Sequence, residues 1–350
     1  MPAIAFRRRE QGCPLRFRMV AVRLPGYSRA MHRLALLAAL VALAPLPLAF
    51  RQPPQGLSAT PIALDPRDPG RTSVGRLRYL GGWVLRGTDR RFGGVSSMTI
   101  EDGRFVLLSD GGVVTRIRFV GAGAQPDYAM SELPDGPGDG AVKADRDSES
   151  STFDPASGHV WAGFETANQI WRYTKGFAAA DGHAAPAAMA DWPNNEGAEA
   201  MVRLRDGRFI VFAETKRRTD GSHVALLFPG DPVDGAAPIA FGYRGPGRGF
   251  APTDAAQLPD GRVVVLHRRF GVTTGFATAL TIIDPAQIRP EQDIDGTLLA
   301  TWAPPLTVDN MEALAITQSR GRTILWIASD DNYFALERTL LMAFELPAGI

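Results

Sequence analysis

From Gly75 onward the chain alternates short apolar runs with tight polar breaks, and the runs have strand length, not helical period. Five segments share one phrase: an acidic or hydroxyl-bearing lead, a tight turn, then an apolar run ending in polar groups. They cover residues 93–112, 147–165, 197–214, 252–270 and 310–331, with turn glycines Gly103, Gly158, Gly207, Gly261 and Gly321. The glycines are 55, 49, 54 and 60 residues apart. Asp102-Gly103 and Asp260-Gly261 between apolar runs are strong hairpin signals. Further strand candidates lie between the repeats, at 113–120, 169–174, 223–228, 276–284 and 338–346. No segment keeps a helical period. The Ala-rich stretch 178–190 is interrupted by Gly182 and Pro186 and is read as a loop, as is the Gly/Asp-rich stretch 131–147. A strand repeat of this size predicts an all-β chain folded as a single β-propeller over residues 75–350, with 51–74 as a lead-in. Six blades are favoured, the sixth built from the two ends, with five or seven left open.

The first fifty residues have another character. Eight arginines stand there against the single acid Glu10, and residues 34–50 form an uncharged apolar run. Met31-His32-Arg33 before that run reads as the start of a secretory signal peptide over about 31–50, with 1–30 an over-extended start. A single membrane anchor is the other reading; Pro45 and Pro47 weaken it, and the run is short for a spanning helix. The expected location is periplasmic or secreted. The chain has formal net charge +1, and the segment 1–50 carries a surplus of seven positive charges, so the remainder is at −6. An acidic body argues against nucleic acid as a partner. The one cysteine, Cys13, lies in that leading segment, so the body has no disulfide or thiol chemistry.

In a propeller the first strand of each repeat lines the central channel. Aligning the turns puts Ser96 or Ser97, Glu149, Glu199, Asp254 and Glu312 at the start of that strand. Asp110, Glu165, Glu214, Arg268 and Asp330 end the second strand at the same mouth. Like charges packed this closely repel and raise one another's pKa unless something neutralises them. A hard cation does so, and Ca²⁺ accepts six to eight oxygens from several loops in flexible geometry. Amides that could contribute are Asn194, Asn195, Asn310 and Asn332. The run Asp145-x-Asp147-x-Glu149 is oxygen-rich but lacks the later ligands of an EF-hand. The plain alternative for each acid is a solvated turn residue or a strand-end cap. Beyond residue 50 the histidines His159, His183, His223 and His267 have no metal-ligand spacing, which argues against zinc. His267 ends a strand aimed at the mouth and reads as either a surface polar residue or a catalytic base. Arg268 and Arg269 beside it, and Arg338, could clamp an anion or pair with the acidic ring. No nucleophile elbow, Walker sequence or dinucleotide fingerprint is present; Gly94-Val95-Ser96-Ser97-Met98 lacks the closing glycine of the elbow.

Several of these pieces together resemble the phytase-like propeller family, described by the esterase-like activity of phytase. They are Asp147-x-Glu149, Asn195-x-Gly197-x-Glu199, the LHRRF segment with the following TTGFATAL, Asp309-Asn310-Met311-Glu312, and above all Ser329-Asp330-Asp331-Asn332-Tyr333 with Glu337-Arg338-Thr339-Leu340-Leu341. The resemblance spans about 90 to 346. It implies a β-propeller and, through looser kinship with alkaline phytases, Ca²⁺-dependent phosphoester hydrolysis. Two departures stand out: His267 stands where the family usually has an acid, and Ser150, Ala200 and Ala313 replace a glycine that commonly follows the blade carboxylate. The resulting expectation is a metal-dependent hydrolase of phosphoesters or other esters. Its metal ligands would be Glu149, Glu199, Glu312, Asp330 and Asp110, with Glu199 and His267 in catalytic roles and Arg268, Arg269 and Arg338 binding substrate. The expected partner is a small phosphoester or ester met by a monomer, with no membrane contact beyond a leading anchor. A lactonase-type propeller is a close relative of this reading; the alternatives are a non-catalytic exported propeller that binds a ligand or partner, and a purely structural ring with a stabilising Ca²⁺.

Overall fold

The computed structural model describes residues 56–349 except 120–125, 141 and 194–196. The signal-peptide reading of 31–50, Cys13, and Asn194 and Asn195 lie outside the described residues. Each repeat begins with a hairpin whose turn glycine is left-handed: Gly103, Gly158, Gly207, Gly261 and Gly321 have φ between 73° and 97°. At four of the five an added Cβ would meet nothing within 4 Å, so backbone conformation and not space demands glycine there.

Among the described residues the strands form five sheets. The first blade is Val95–Glu101, Arg104–Ser109, Val113–Arg118 and Asp127–Glu132; the second is Ser148–Phe153, Val160–Phe164, Gln169–Tyr173 and Ala180–Ala184. The third is Ala198–Arg203, Phe209–Arg217, His223–Phe228 and Ile239–Arg244, extended by Asp293–Asp295; the fourth is Ala251–Gln257, Val263–Gly271, Gly275–Ile283 and Thr297–Trp302. The fifth begins with Asn310–Ser319, Arg322–Asp330 and Leu340–Leu346, and is completed by Leu77–Gly87 and Leu57–Pro61 from the other end of the chain. The first strands of the blades touch one another in cyclic order, the fifth returning to the first.

The ring therefore has five blades, not the favoured six. The two ends do not make an extra blade, because the fifth repeat carries only three strands of its own. Leu77–Gly87 supplies its fourth, pairing Leu341 with Trp83 and Leu340 with Val84. The 51–74 lead-in likewise contains the blade's outermost strand, Leu57–Pro61. The Ala-rich stretch read as a loop contains the outer strand Ala180–Ala184, which pairs with Gln169–Tyr173 and is largely exposed. An edge strand has one free side and needs little apolar patterning, which is why periodicity missed it.

The core lies between blades, with one apolar cluster in each of the five wedges. The full burial of Phe164, Phe209, Phe212 and Phe344 in these wedges fixes the blade spacing; truncating any one would cost about 3–5 kcal/mol. Polar ties near the axis add register: Ser97 Oγ donates to Ser151 Oγ at 2.8 Å, and Leu314 N–H donates to Asp254 Oδ2 at 2.6 Å. Among the described residues no helix is long and apolar enough to cross a membrane.

Candidate metal centre

In every blade the innermost strand skips one residue in its pairing with the second strand. The shifts fall between Val95 and Ser97, Ser148 and Ser150, Ala198 and Ala200, Pro252 and Asp254, and Met311 and Ala313. The skipped residues are Ser96, Glu149, Glu199, Thr253 and Glu312. A bulge takes one residue out of the ladder and re-aims its side chain. Three of the five positions are glutamate, and one carboxylate oxygen from each of Glu149, Glu199 and Glu312 lies within 4.8 Å of the others. The remaining two carry hydroxyls. Ser96 Oγ donates to Ser148 O at 2.5 Å and Thr253 Oγ1 to Met311 O at 3.1 Å. Each thus holds the carbonyl just before the next blade's glutamate.

The second strands end at the same place. Asp110, Glu165, Glu214, Arg268 and Asp330 line a cavity of about 450 Å³ together with the three bulge glutamates. Asp147, Glu149 and Glu165 form a second group of carboxylates within 4.8 Å, so Glu149 is shared by both groups. Close approach of the blades makes this possible: a Cβ on Gly197 would lie 2.5 Å from Glu165 Cα.

Burial and mutual repulsion dominate the electrostatics. Burial first, then Glu199 and Glu312, raises the Glu149 carboxyl well above its ordinary range. Glu199 is raised by burial and by Glu214 and Glu312, with Arg268 opposing. Glu312 is raised by burial against the pull of Arg268. Asp330 is pushed up to about 8 by burial and Glu312, and Glu165 to about 8 by burial and a proton shared with Asp147. Two cations offset part of this charge. Arg268 sets Nη2 3.0 Å from Glu214 Oε1 and Nε 3.0 Å from Glu312 Oε1. Lys143 Nζ lies 2.8 Å from Asp110 Oδ2 and 3.6 Å from Asp147 Oδ1.

Two observations are compatible with a hard cation at this site. Asp110 Oδ1 and Asn310 Oδ1 are buried acceptors with no hydrogen-bond donor, and both residues line the cavity. Asn310 Nδ2 is committed to Glu312 Oε1 at 2.7 Å, which leaves its oxygen available. The donor set is also oxygen only, the set that Ca²⁺ and Mg²⁺ prefer.

The sequence-selected residues separate cleanly by place. Glu149, Glu199, Glu312, Asp330, Asp110 and Arg268 share the cavity, although Asp330 and Asp110 fall outside both tight carboxylate groups. His267 and Arg269 do not share it. Successive strand residues point to opposite faces, so Arg268 and Phe270 face the cavity while His267 and Arg269 face away. His267 is fully buried, its Nε2 is 2.7 Å from Tyr243 Oη, and burial pushes its imidazole down to about 3. Arg269 lies over the Phe250 ring at 4.7 Å. Arg338 is tied to Asp309 through Nε at 2.9 Å and to Val308 O at 3.0 Å. Turn alignment placed Asp254 in the inner ring, but the bulge puts Thr253 there. Asp254 is sealed between blades, accepting from Leu314 N–H and Ala255 N–H. Sequence reasoning passed over Lys143 altogether. Its only signal was its place four residues before Asp147 in an acidic loop.

A family model described as "Phytase-like: Esterase-like activity of phytase" matches residues 90–333. No curated protein matches. Among solved structures the chain is similar to hydrazine synthase of Kuenenia stuttgartiensis, at 10% identity and a TM-score of 0.36, over 74% of this chain and 65% of that one. It is also similar to a protein of unknown function from Dyadobacter fermentans, at 11% identity and a TM-score of 0.42, over 78% of this chain and 100% of that one. A luciferin-regenerating enzyme aligns at 12% identity and a TM-score of 0.40, over 83% of this chain and 96% of that one.

Proposed function

The chain belongs to the phytase-like family, and from that premise we propose that it is an exported, metal-dependent hydrolase of phosphoesters or other esters acting at the channel mouth, with Ca²⁺ as its cation. The observation that carries this reading is the convergence of Glu149, Glu199 and Glu312 within 4.8 Å beside the donorless oxygen of Asn310. When bound, the cation supplies charge stabilisation to phosphoryl or carbonyl oxygens and acidifies water at the site. The chain's own groups divide the remaining work. Glu149, Glu199 and Glu312 would hold the cation. Asp330 and Asp110, at the outer ring, accept hydrogen bonds from water and orient it. Arg268, which lines the same cavity beside Glu214 and Glu312, would take an anionic oxygen of the substrate. His267 has no part, because its imidazole is sealed in the wedge. Export rests on the charged start at Met31 and the apolar run behind it.

The test is hydrolysis of p-nitrophenyl phosphate and p-nitrophenyl acetate with and without chelator. Turnover that disappears with chelator and returns with Ca²⁺ supports the hydrolase. Cation binding without turnover on either ester would instead support a non-catalytic propeller with a structural metal. The pairing of Arg268 with Glu214 and Glu312 is the observation that favours this second reading, since it engages the guanidinium that would otherwise take an anionic substrate.

A further inference from the structure

Eight large hydrophobic side chains are markedly exposed among the described residues, and six of them belong to three segments that also line the cavity. Val142 precedes the lining residue Lys143. Phe270 lines the cavity itself, and Val272, 94% exposed, tips the same hairpin ahead of Phe276. Tyr333, Phe334 and Leu336 lie between the lining residues Asn332 and Glu337, with Leu336 81% exposed. Single exposed apolar residues are ordinary on a protein surface, but a group confined to the rim of one polar cavity is not. The Phe270 and Phe276 rings pack with centroids 4.9 Å apart, tilted by 51°, giving the rim a preformed aromatic wall.

The wall is continuous with the charged floor. Arg268 and Phe270 stand two residues apart on one strand and line the same cavity, so their points of attachment to the strand are about 7 Å apart. That is about the depth of an ester head group. We infer that the substrate is amphiphilic: its anionic ester head sits on the floor and an alkyl or aryl portion lies along Phe270, Phe276 and the 333–336 loop. The inference rests on the hydrolase reading for the place of the head group and adds the class of the leaving or acyl portion. A compact polyanion such as a multiply phosphorylated polyol would leave the wall uncovered and meet the acids of the floor with every face.

The test uses non-hydrolysable head groups. The Ca²⁺-loaded protein is titrated calorimetrically with methyl-, butyl- and octylphosphonate below their micelle concentrations. Burying four further methylenes completely would strengthen binding about two-hundredfold, so partial cover by an open rim should give at least tenfold from butyl to octyl. In a Val272→Ser, Leu336→Ser double variant, both changes at exposed positions, that gain should fall to about threefold or less. Equal affinity for all three phosphonates overturns the inference and leaves the metal-site reading standing. A chain-length gain that persists under chelator and in Glu199→Gln upholds the rim and removes the metal-site reading. Absence of binding by any of the three overturns both. Flotation of the protein with phosphatidylcholine vesicles, without a chain-length gain, would assign the rim to a lipid surface and overturn the inference.

Discussion

Thr253 and Glu312 occupy the same place in neighbouring blades, each the residue left out where the inner strand shifts register, yet only Glu312 brings a carboxylate to the channel. Thr253 instead donates its hydroxyl to Met311 O at 3.1 Å, the carbonyl immediately before Glu312. The ring is therefore not a set of five equivalent acids. Three blades present glutamate, and the two blades with hydroxyls fix the backbone from which the next glutamate projects.

Thr253→Val keeps the shape and removes the donor. The hydroxyl is fully buried, so its loss should lower stability by about 1–2 kcal/mol in urea unfolding. Ca²⁺ affinity should weaken several-fold with it, since Glu312 loses its anchor. Unchanged stability and affinity would show that the tie is incidental.

Arg268→Met removes the one guanidinium among the cavity's acids. With Glu214 and Glu312 released, Ca²⁺ affinity should rise about tenfold, the size of a unit-charge effect at a few ångströms in a partly hydrated site. Turnover of an anionic ester should fall by tenfold or more while an uncharged ester is less affected. A loss of equal size on both esters would contradict the anion-binding role.

The raised carboxyls make the metal-free protein sensitive to alkali. Asp330 and Glu165 hold protons up to about 8 when folded but only to the ordinary carboxylate range when unfolded. The native state then binds more protons across this interval, so stability falls as pH rises. His223 and His267, pushed down to about 4 and about 3 by burial, act oppositely below their unfolded value near 6.5. Between pH 6.5 and 8 the carboxyls act alone. The melting temperature under chelator should drop by several degrees across that interval, and saturating Ca²⁺ should abolish the drop. A flat or rising profile would contradict this account.

His267→Ala distinguishes a core histidine from a base. The variant loses packing against Tyr243 and the 2.7 Å hydrogen bond to its hydroxyl, at a cost of about 2–4 kcal/mol in unfolding. Ca²⁺ affinity should remain that of the parent. Full stability with lost turnover would return His267 to the chemistry.

The repeat phrase and its turn glycines made the propeller, and the mouth to which Asp110, Glu165, Glu214, Arg268 and Asp330 point, legible from the chain alone. Hairpin chemistry is local, and Asp-Gly turns announce it. The blade count was not legible, because whether Leu77–Gly87 founds a blade or completes one depends on a pairing with Leu340–Leu346 across the whole chain. The bulge was hidden for the same reason: it is a relation between two strands, and its single-residue shift exchanged Thr253 for Asp254. Facing followed the same rule in the run from His267 to Phe270, where a motif read as one basic cluster is split by strand alternation between the cavity and a wedge.

The most direct measurement is calorimetric titration of Ca²⁺ into chelator-stripped protein and into Glu149→Gln, Glu199→Gln and Glu312→Gln. If the three bulge glutamates hold one cation, the parent binds it and each substitution weakens binding by at least tenfold, with Glu149→Gln affecting any second cation as well because Glu149 belongs to both carboxylate groups. A parent protein that takes up no cation, or three variants that bind as the parent does, would contradict the account.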